Sequence, residues 1–282
     1  MIKFILDHGG RACQIERAAL YPRHMTSAEV PWTLVRESYS LERVTALKGA
    51  TSVAVVVPAK DEATTVGAVL DSVQVHDHLI DELIVVNDHS SDDTATVAEH
   101  HGARVVHVRG AGGKGAAMSA GFAASDAELI VFLDADVTNP TPDYVARLIQ
   151  PLLERPATQL VKGFYERPLH NMPTGGGRVT ELTARPVLSL LFPGLGEIRQ
   201  PLAGETALRR GVLETIDLEP DYRVEIALLI DAARLFGVHA LAQVDLGIRR
   251  HRNRPLEELR PMAVDVLRAA LERYKVDLPS TK

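Results

Sequence analysis

Two aspartates two positions apart, Asp134 and Asp136, end the apolar run Glu128-Leu-Ile-Val-Phe-Leu133. Side chains at this spacing in an extended segment point to the same face, so both carboxylates can approach one hard cation or the groups around it. A metal-bound diphosphate is the ligand that suits such a corner. In an open α/β sheet the binding crevice lies beyond the carboxyl ends of the strands, where we expect these aspartates. The pair therefore predicts an enzyme that acts on a nucleotide diphosphate.

Polar residues also follow two earlier apolar runs of the sequence, 53–57 and 83–86. Pro58-Ala-Lys-Asp-Glu62 comes after the first run, and the segment 87–93 comes after the second. Each segment taken singly is typical of a turn or a helix cap, because Asp and Ser bond readily to nearby amides. Three polar ends on neighbouring strands favour a binding site instead.

Two glycine-rich loops each carry a cation. The loop Gly110–Gly115 contains Lys114, and it is not a P-loop because a glycine, not Ser or Thr, follows the lysine. We expect Lys114 to neutralise a donor phosphate while the loop amides supply hydrogen bonds. In Gly175-Gly-Gly-Arg178 the arginine offers a planar fork to a phosphate or carboxylate. Either loop taken alone could be a plain connection, whereas together they suit a charged donor and a charged acceptor.

Two further candidates have simple structural explanations. His251 lies in Arg249-Arg-His-Arg-Asn-Arg254, a composition typical of a solvated basic stretch. Imidazole also binds divalent ions, however, and an anionic active site would explain so many arginines in an acidic chain. Glu225 stands where a helix is predicted to begin, and there an acidic side chain interacts favourably with the helix dipole.

Alternating strand and helix patterns must position these residues. Apolar runs predict strands at 53–57, 83–86, 105–108, 128–133 and 160–165. Apolar stripes predict helices at 66–73, 94–101, 116–124 and 144–153. The alternation predicts an α/β fold with a Rossmann-like, mainly parallel, doubly wound sheet.

The second half of the chain departs from this alternation. The Pro- and Gly-rich stretch Pro168–Gly177 interrupts it. After it we predict helices at 179–191, 224–236 and 256–274 and a strand at 240–244, which together look like an acceptor-binding C-terminal elaboration. We therefore expect an N-terminal arm at 1–50, a nucleotide-sugar-binding α/β domain at 51–165, and an acceptor-binding region with the C-terminal helix at 166–282. The arm lacks periodicity and is predicted to be a poorly packed extension or a strap across the main body.

Composition excludes several classes of protein. The 282 residues are 46% hydrophobic, enough for a substantial core, and 31 basic against 37 acidic residues give a net charge of −6. That charge argues against a broad nucleic-acid footprint. Cys13 is the single cysteine, so no intrachain disulfide forms, and the apolar runs are shorter than the roughly 20 residues that span a bilayer. The apolar opening of the chain is interrupted at Asp7 and is too short for a signal peptide. We expect a cytoplasmic enzyme without nucleic-acid or membrane partners.

Seven motifs together resemble the glucosyl-3-phosphoglycerate synthase family of retaining glycosyltransferases with the GT-A fold. They are Pro58-Ala-Lys-Asp-Glu62, Lys114, Leu133-Asp-Ala-Asp136, Gly175-Gly-Gly-Arg-Val-Thr-Glu-Leu182, Gln200-Pro-Leu-Ala-Gly-Glu205, Val224-Glu225 and His251-Arg-Asn-Arg-Pro-Leu256. The resemblance covers residues 30 to 275, and the motifs at 175–182 and 251–256 are its most specific parts. It implies transfer of glucose from UDP-glucose to 3-phosphoglycerate by a homodimer, with Mg²⁺ as cofactor and Mn²⁺ as its alternative.

The resemblance also implies a role for individual residues. The nucleotide-sugar would be bound by Pro58, Ala59, Glu62, Asp88, Lys114, Asp134 and Ala135. The metal would be held by Asp136 and His251, and the acceptor by Gly176, Gly177, Arg178, Val179, Thr180 and Asn253. The groups closest to the chemistry would be Glu225 at the transferred sugar, Lys114 and Asp134.

Two departures from the family pattern leave alternatives open. Lys60-Asp61 stands where the family usually has Leu-Asn, and Asp88 stands where it has a Ser that contacts the base. Both lie in the nucleotide pocket, so a mannosyl-3-phosphoglycerate synthase using GDP-mannose remains an alternative. A sugar-phosphate nucleotidyltransferase also uses aspartates and Mg²⁺, but it normally has a glycine-rich loop directly after the first strand, unlike Pro58-Ala-Lys-Asp-Glu62. A catalytically inactive nucleotide-sugar-binding module is the third alternative.

Overall fold

A computed structural model describes residues 30–169, 172–175, 177–250 and 256–275. The strands are β1 (Trp32–Leu34), β2 (Val53–Ala59), β3 (Glu82–Asn87), β4 (Arg104–His107), β5 (Leu129–Phe132), β6 (Leu160–Glu166), β7 (Pro168–Leu169), β8 (Met172–Gly175), β9 (Thr206–Arg209) and β10 (Leu241–Ile248). The helices are α1 (Leu41–Lys48), α2 (Val66–Gln74), α3 (Thr94–His100), α4 (Lys114–Ala123), α5 (Tyr144–Glu154), α6 (Arg185–Leu191), α7 (Arg210–Leu213), α8 (Val224–Phe236) and α9 (Leu256–Arg273). None of the helices described is long and apolar enough to cross a membrane.

One eight-stranded sheet organises the chain, in the order β1-β10-β6-β9-β5-β2-β3-β4. Every neighbouring pair in it is parallel except the two that involve β9, which runs antiparallel to both β5 and β6. The structure thus confirms the predicted mainly parallel α/β sheet. We did not predict β9, a strand of four residues.

The apolar run of β2 shows why the sheet is covered on both faces. Val53, Val55 and Val57 face one core cluster, which contains buried residues of α2 and α5. Ala54 and Val56 face the other cluster, which contains buried residues of α4, α6 and α8. Successive side chains of a strand point to opposite faces, so a continuous apolar run is what a doubly covered parallel sheet requires. This packing places the carboxyl ends of β2, β3 and β5 side by side.

Residues 30–50 contribute a strand and a helix that we did not predict. β1 is an edge strand of the sheet and pairs with β10, with Trp32 opposite Ala242. α1 begins after Ser40, whose Oγ accepts a hydrogen bond from Arg43 N at 3.3 Å, and it buries Val44. A side-chain oxygen at this position satisfies one of the amides that a helix start leaves without a partner. The described part of the N-terminal segment therefore adds a strand to one edge of the sheet and packs α1 against α5.

The region after β6 also differs in detail from the prediction. The predicted break Pro168–Gly177 contains the two-stranded hairpin of β7 and β8. The predicted helix at 179–191 is a π-helical turn, Thr180–Ala184, that continues into α6. π-helical turns often occur at functional sites because they displace the side chains of one turn.

Candidate active site

The carboxyl ends of the central strands open into a cavity of about 690 Å³. All predicted site residues that the structure describes line it: Pro58, Ala59, Glu62, Asp88, Lys114, Asp134, Ala135, Asp136, Gly177, Arg178, Val179, Thr180 and Glu225. The other three predicted residues, Gly176, His251 and Asn253, lie outside the described part of the chain. The aspartate corner and the Arg178 loop thus share one cavity, as a two-substrate site requires.

Hydrogen bonds between side chains and amides shape the ends of β2 and β3. Asp61 has a left-handed backbone (φ 55°), and its Oδ1 accepts a hydrogen bond from Ser91 N at 2.7 Å. Ser90 Oγ in turn accepts from Asp61 N at 3.0 Å. Glu62 N donates to Thr94 Oγ1 at 2.8 Å. The turn explanation is therefore correct for several of these residues, and the turns they form are part of the cavity wall.

Asp88 fixes the neighbouring glycine loop. Its side chain is buried, and Oδ2 accepts a hydrogen bond from Gly113 N at 2.9 Å. Oδ1 lies 3.0 Å from His89 Nδ1. Both carboxylate oxygens therefore have protein partners. Asp88, at the position where the resemblance implies a serine, thus lines the cavity with its carboxylate engaged by the loop that precedes Lys114.

The glycines on either side of Lys114 pack against protein backbone, which we did not predict. A Cβ added to Gly115 would lie 1.6 Å from Glu219 O, and one on Gly113 would lie 2.3 Å from Pro220 O. Gly113 also has a φ of +134°, which favours glycine. Ala116 N donates to Pro220 O at 3.1 Å. The two glycines thus let the start of α4 contact the segment that leads into α8.

This contact brings Lys114 to Glu225. Lys114 Nζ lies 2.7 Å from Asp134 Oδ1 and 2.5 Å from Glu225 Oε1. Burial alone would lower the pKa of Lys114, but the two carboxylates outweigh it and hold the pKa well above the ordinary value. Burial would likewise raise the pKa of Asp134, but Lys114 and Arg249 hold it well below its ordinary value. Lys114 and Asp134 are therefore both charged at neutral pH.

Arg249 is the principal site residue that the sequence analysis missed. Its Nη2 donates to Asp134 Oδ2 at 2.9 Å and to Asp136 Oδ1 at 2.8 Å. Its Nη1 donates to Glu205 Oε2 and to Tyr165 OH, both at 2.8 Å. Arg249 is 2% exposed and Glu205 is fully buried. One signal in the sequence points towards Arg249: the excess of arginines around His251 in an acidic chain. That signal does not single out Arg249 among them.

The aspartate corner fits a divalent cation. Asp136 lines the cavity with a side chain that is 39% exposed, and Asp134 lies beside it. Within the described residues no three His, Cys, Asp or Glu side chains form a metal-binding cluster. Mg²⁺ is usually held by one or two carboxylates together with phosphate oxygens and water, so a complete protein cage is not required. The donor set suits a cation that binds together with a diphosphate.

Another part of the cavity wall belongs to the second half of the chain. Gly177 has a φ of +70° and precedes the turn that carries Arg178 and Thr180. Thr180 is buried at 2% exposure, whereas Arg178 is half-buried at the cavity surface. Arg167 lies beside this turn, since a Cβ on Gly177 would be 3.4 Å from Arg167 Cδ. The other lining residues that we did not predict are Lys60, Asp61, Gly112, Gly113, Ala117, Tyr165, Arg167, Leu202, Asp221, Tyr222, Arg249, Leu259, Met262 and Val266.

Comparison with known proteins identifies the family. Residues 54–215 match the family model described as Glycosyl transferase family 2. The glucosyl-3-phosphoglycerate synthase of Mycolicibacterium paratuberculosis is 45% identical over 253 residues, which cover 84% of this chain and 77% of that protein. The enzyme of the same name from Mycolicibacterium smegmatis is 42% identical over 250 residues, 84% of this chain and 82% of that protein.

Solved structures agree with the sequence comparison. The glucosyl-3-phosphoglycerate synthase of Mycobacterium tuberculosis in complex with Mn²⁺, UDP-glucose and phosphoglyceric acid has a TM-score of 0.81 and 42% identity, covering 88% of both chains. Its complex with Mg²⁺ and UDP gives the same TM-score, identity and coverage. The predicted GT-A fold is confirmed. The family model matches more than half of the chain and these relatives match most of it, so this chain belongs to glycosyl transferase family 2 and, within it, to the glucosyl-3-phosphoglycerate synthase family.

Proposed function

We propose that this protein transfers glucose from UDP-glucose to 3-phosphoglycerate, giving glucosyl-3-phosphoglycerate with retention of the anomeric configuration. The observation that carries the proposal is the shared cavity. Asp134, Asp136 and Lys114 form one part of its wall, and Arg178 forms another. The relatives carry this activity in their names, and the M. tuberculosis protein binds both the donor and phosphoglyceric acid.

The donor diphosphate is proposed to bind at the aspartate corner with Mg²⁺ or Mn²⁺. Asp136 would hold the cation, together with His251 in the prediction, and a bound cation would supply positive charge opposite the departing UDP. Pro58, Ala59 and Asp88 form the nucleotide end of the pocket. Lys114 stays protonated because two carboxylates surround it, so it supplies a permanent positive charge beside the diphosphate.

Glu225 is proposed to orient the transferred sugar and to support positive charge at its reacting carbon. Its Oε1 is held by Lys114 at 2.5 Å, and its side chain is 7% exposed. A carboxylate fixed in this way stabilises developing charge without having to reorganise during the reaction. No protein nucleophile is then required. The acceptor hydroxyl attacks the sugar face from which UDP departs, and a phosphate oxygen of UDP takes the hydroxyl proton.

The acceptor is proposed to bind at the turn of Gly177, Arg178, Val179 and Thr180. An arginine fork matches a phosphate or carboxylate with two parallel hydrogen bonds, and 3-phosphoglycerate carries one of each group. Gly176 and Asn253, which lie outside the described residues, keep their predicted acceptor role. In this arrangement 51–165 is the donor half and 166–282 the acceptor half, with 1–50 as the N-terminal arm.

A donor-by-acceptor screen tests the proposed function. UDP-glucose and GDP-mannose are each incubated with and without 3-phosphoglycerate and Mg²⁺, and the products are identified by mass spectrometry. We expect UDP release that depends on 3-phosphoglycerate, with glucosyl-3-phosphoglycerate as product. A mannosyl product from GDP-mannose alone would overturn the donor assignment. Pyrophosphate release from UTP and a sugar phosphate would indicate a nucleotidyltransferase, and donor binding without any product would indicate an inactive binding module.

Asp136→Ala provides the negative control for the screen. We expect it to abolish metal-dependent transfer while the circular dichroism spectrum stays unchanged. Asp126→Ala is the matched substitution on a fully exposed aspartate far from the cavity, and it should leave transfer at the wild-type rate. Near-normal transfer by Asp136→Ala would remove the aspartate corner from the reaction.

We also propose that the protein acts as a homodimer in the cytoplasm. Leu182 and Leu190, at the π-helical turn and on α6, are 76% and 78% exposed. Val264 and Leu267 on α9 are 50% and 40% exposed, and α9 contacts both of those elements. Exposed apolar side chains on packed helices are suited to association with a second copy. Light scattering should give twice the chain mass, and Leu190→Glu should reduce it to one chain.

A further inference from the structure

Lys162 is a buried lysine that the proposed reaction does not yet use. It lies on β6 between Thr206 of β9 and Gln243 of β10, and only 2% of it is exposed. Its Nζ donates to Ala203 O at 2.5 Å and to Thr206 Oγ1 at 2.9 Å. Among the described residues no carboxylate forms a salt bridge with it. Burying an ammonium without a paired carboxylate is costly, so a purely structural purpose would be served better by an apolar side chain.

The backbone that Lys162 holds is a wall of the active site. Ala203 belongs to the segment 200–205, of which Leu202 lines the cavity. A Cβ on Gly204 would lie 2.0 Å from Asp134 Oδ1, so the backbone at Gly204 packs directly against the aspartate. Glu205 at the end of the segment accepts the hydrogen bond from Arg249. A shift of Ala203 would therefore move Asp134 and Arg249 together.

The charges around Lys162 indicate a second effect. The described residues that line the cavity include seven carboxylates, Asp61, Glu62, Asp88, Asp134, Asp136, Asp221 and Glu225, and five cations, Lys60, Lys114, Arg167, Arg178 and Arg249. Lys162 adds a further positive charge beside the segment 203–206. Burial lowers the pKa of Lys162 to about 8, because it outweighs the attraction of Glu225; Lys114 lowers the pKa further, and Glu205 and Asp134 raise it.

We propose that Lys162 is a positioning residue for glucose transfer: its ammonium holds the Leu202–Glu205 backbone against Asp134 and offsets the excess negative charge of the site. The proposal rests on the proposed function, since it concerns turnover at the same cavity. It differs from a purely structural assignment because it requires the charge of the side chain as well as its volume. Loss of that charge should reduce kcat, whereas the donor still binds.

Lys162→Met tests the proposal because it keeps the length of the side chain and removes the charge. Val161→Ala is the matched control, since Val161 is a fully buried neighbour on β6 that points to the other face. We expect Lys162→Met to lower kcat at pH 7 at least tenfold with the KM for UDP-glucose within threefold. Val161→Ala should lower the melting temperature at least as much while kcat stays within twofold of wild type.

The pH profile of kcat distinguishes an effect of the Lys162 charge from an effect of side-chain packing. Wild-type kcat should decline above pH 8, and this decline should be absent in Lys162→Met and in Lys162→Arg, whose guanidinium stays charged. If Lys162→Met does not fold, the wild-type and Lys162→Arg profiles decide the matter. A wild-type profile that is flat to pH 9.5, a decline that persists in Lys162→Arg, or a kcat of Lys162→Met within twofold of wild type would overturn the proposal. Absence of transfer by the wild-type protein at every pH would instead refute the proposed function.

Discussion

The two glycine-rich loops look alike in the sequence but differ in what lies next to their glycines. Gly115 meets the carbonyl of Glu219, and a Cβ there would be 1.6 Å from the oxygen. Among the described residues, the atoms nearest to a Cβ on Gly177 belong to the side chains of Arg167 and Thr180, at 3.4 Å or more. The first loop is therefore a tight joint between two halves of the protein, whereas the second is a turn with room beside it. A glycine pattern predicts a close approach but not whether a ligand or the protein makes that approach.

The cations that follow these loops differ accordingly. Lys114 is bonded to Asp134 and Glu225, so its position is set by the protein before any substrate binds. Arg178 lies half-buried at the cavity surface, at the start of the π-helical turn. We therefore expect changes at the first loop to affect turnover and stability together. Changes at the second should affect binding of the acceptor more than turnover.

Lys114→Met should have the largest effect. It leaves Asp134 and Glu225 without their shared cation, which costs about 3–5 kcal/mol for a buried pair, and it should lower kcat about 10²–10³-fold. Because its pKa is raised in the folded protein, Lys114 stays charged through the neutral range. Its contribution to the free energy of unfolding is therefore complete below the pKa of the lysine in the unfolded chain, and it is lost only as the pH rises through the pKa in the folded protein. Kinetics and urea unfolding at pH 7 measure both effects. A variant with normal stability would show that the pair is not formed in solution.

Gly115→Ala should have the second-largest effect. The added methyl group forces the Glu219 carbonyl away, and displacement of this kind costs about 1–3 kcal/mol. Because the displaced segment leads into α8, Lys114 and Glu225 should separate and kcat should fall at least tenfold. Gly211→Ala is the matched control: Gly211, like Gly115, lies in a helix without a positive φ, but its Cβ would meet nothing within 4 Å. Equal losses of kcat in both variants would mean that the contact with Glu219 does not explain the result.

The sequence was sufficient for the part of the fold in which local pattern and environment agree. Val53–Val57 is fully buried on both faces of the sheet, and a continuous apolar run predicts that environment directly. β9 and β1 could not be predicted in the same way. The four residues of β9 form a strand because β5 and β6 lie on either side of it, and β1 has only three residues, which are ordered by β10. These pairings depend on tertiary contacts.

The same division applies to the active site. The placement of Asp134, Asp136 and Lys114 at one cavity could be predicted because strand ends and glycine loops are visible in the sequence. Arg249 and Lys162 could not, since their burial is unusual for charged residues and depends on partners far away in the chain. The pair of Arg249 and Asp134, for example, spans 115 positions. Polar networks of this kind are specified by the assembled fold.

Arg178→Lys tests the second loop, at which we propose that the acceptor binds. The lysine keeps a positive charge but cannot form the two parallel hydrogen bonds of a guanidinium. Loss of a charged hydrogen bond costs about 1.5–3 kcal/mol, so the KM for 3-phosphoglycerate should rise about tenfold or more. The KM for UDP-glucose should stay within threefold. A rise in the donor KM instead would place Arg178 at the diphosphate and would merge the two anion sites into one.

Gly177→Ala should have the smallest effect. Its φ of +70° makes alanine unfavourable by about 1–2 kcal/mol, but the nearest described atom to the new Cβ would be Cδ of the flexible Arg167 side chain, at 3.4 Å. Urea unfolding should show this modest loss, and kcat at saturating 3-phosphoglycerate should stay within threefold of wild type. If Gly177→Ala instead lowers kcat as strongly as Gly115→Ala, the second loop is as tightly constrained as the first. The difference between a joint inside the protein and a turn that faces the acceptor would then be lost.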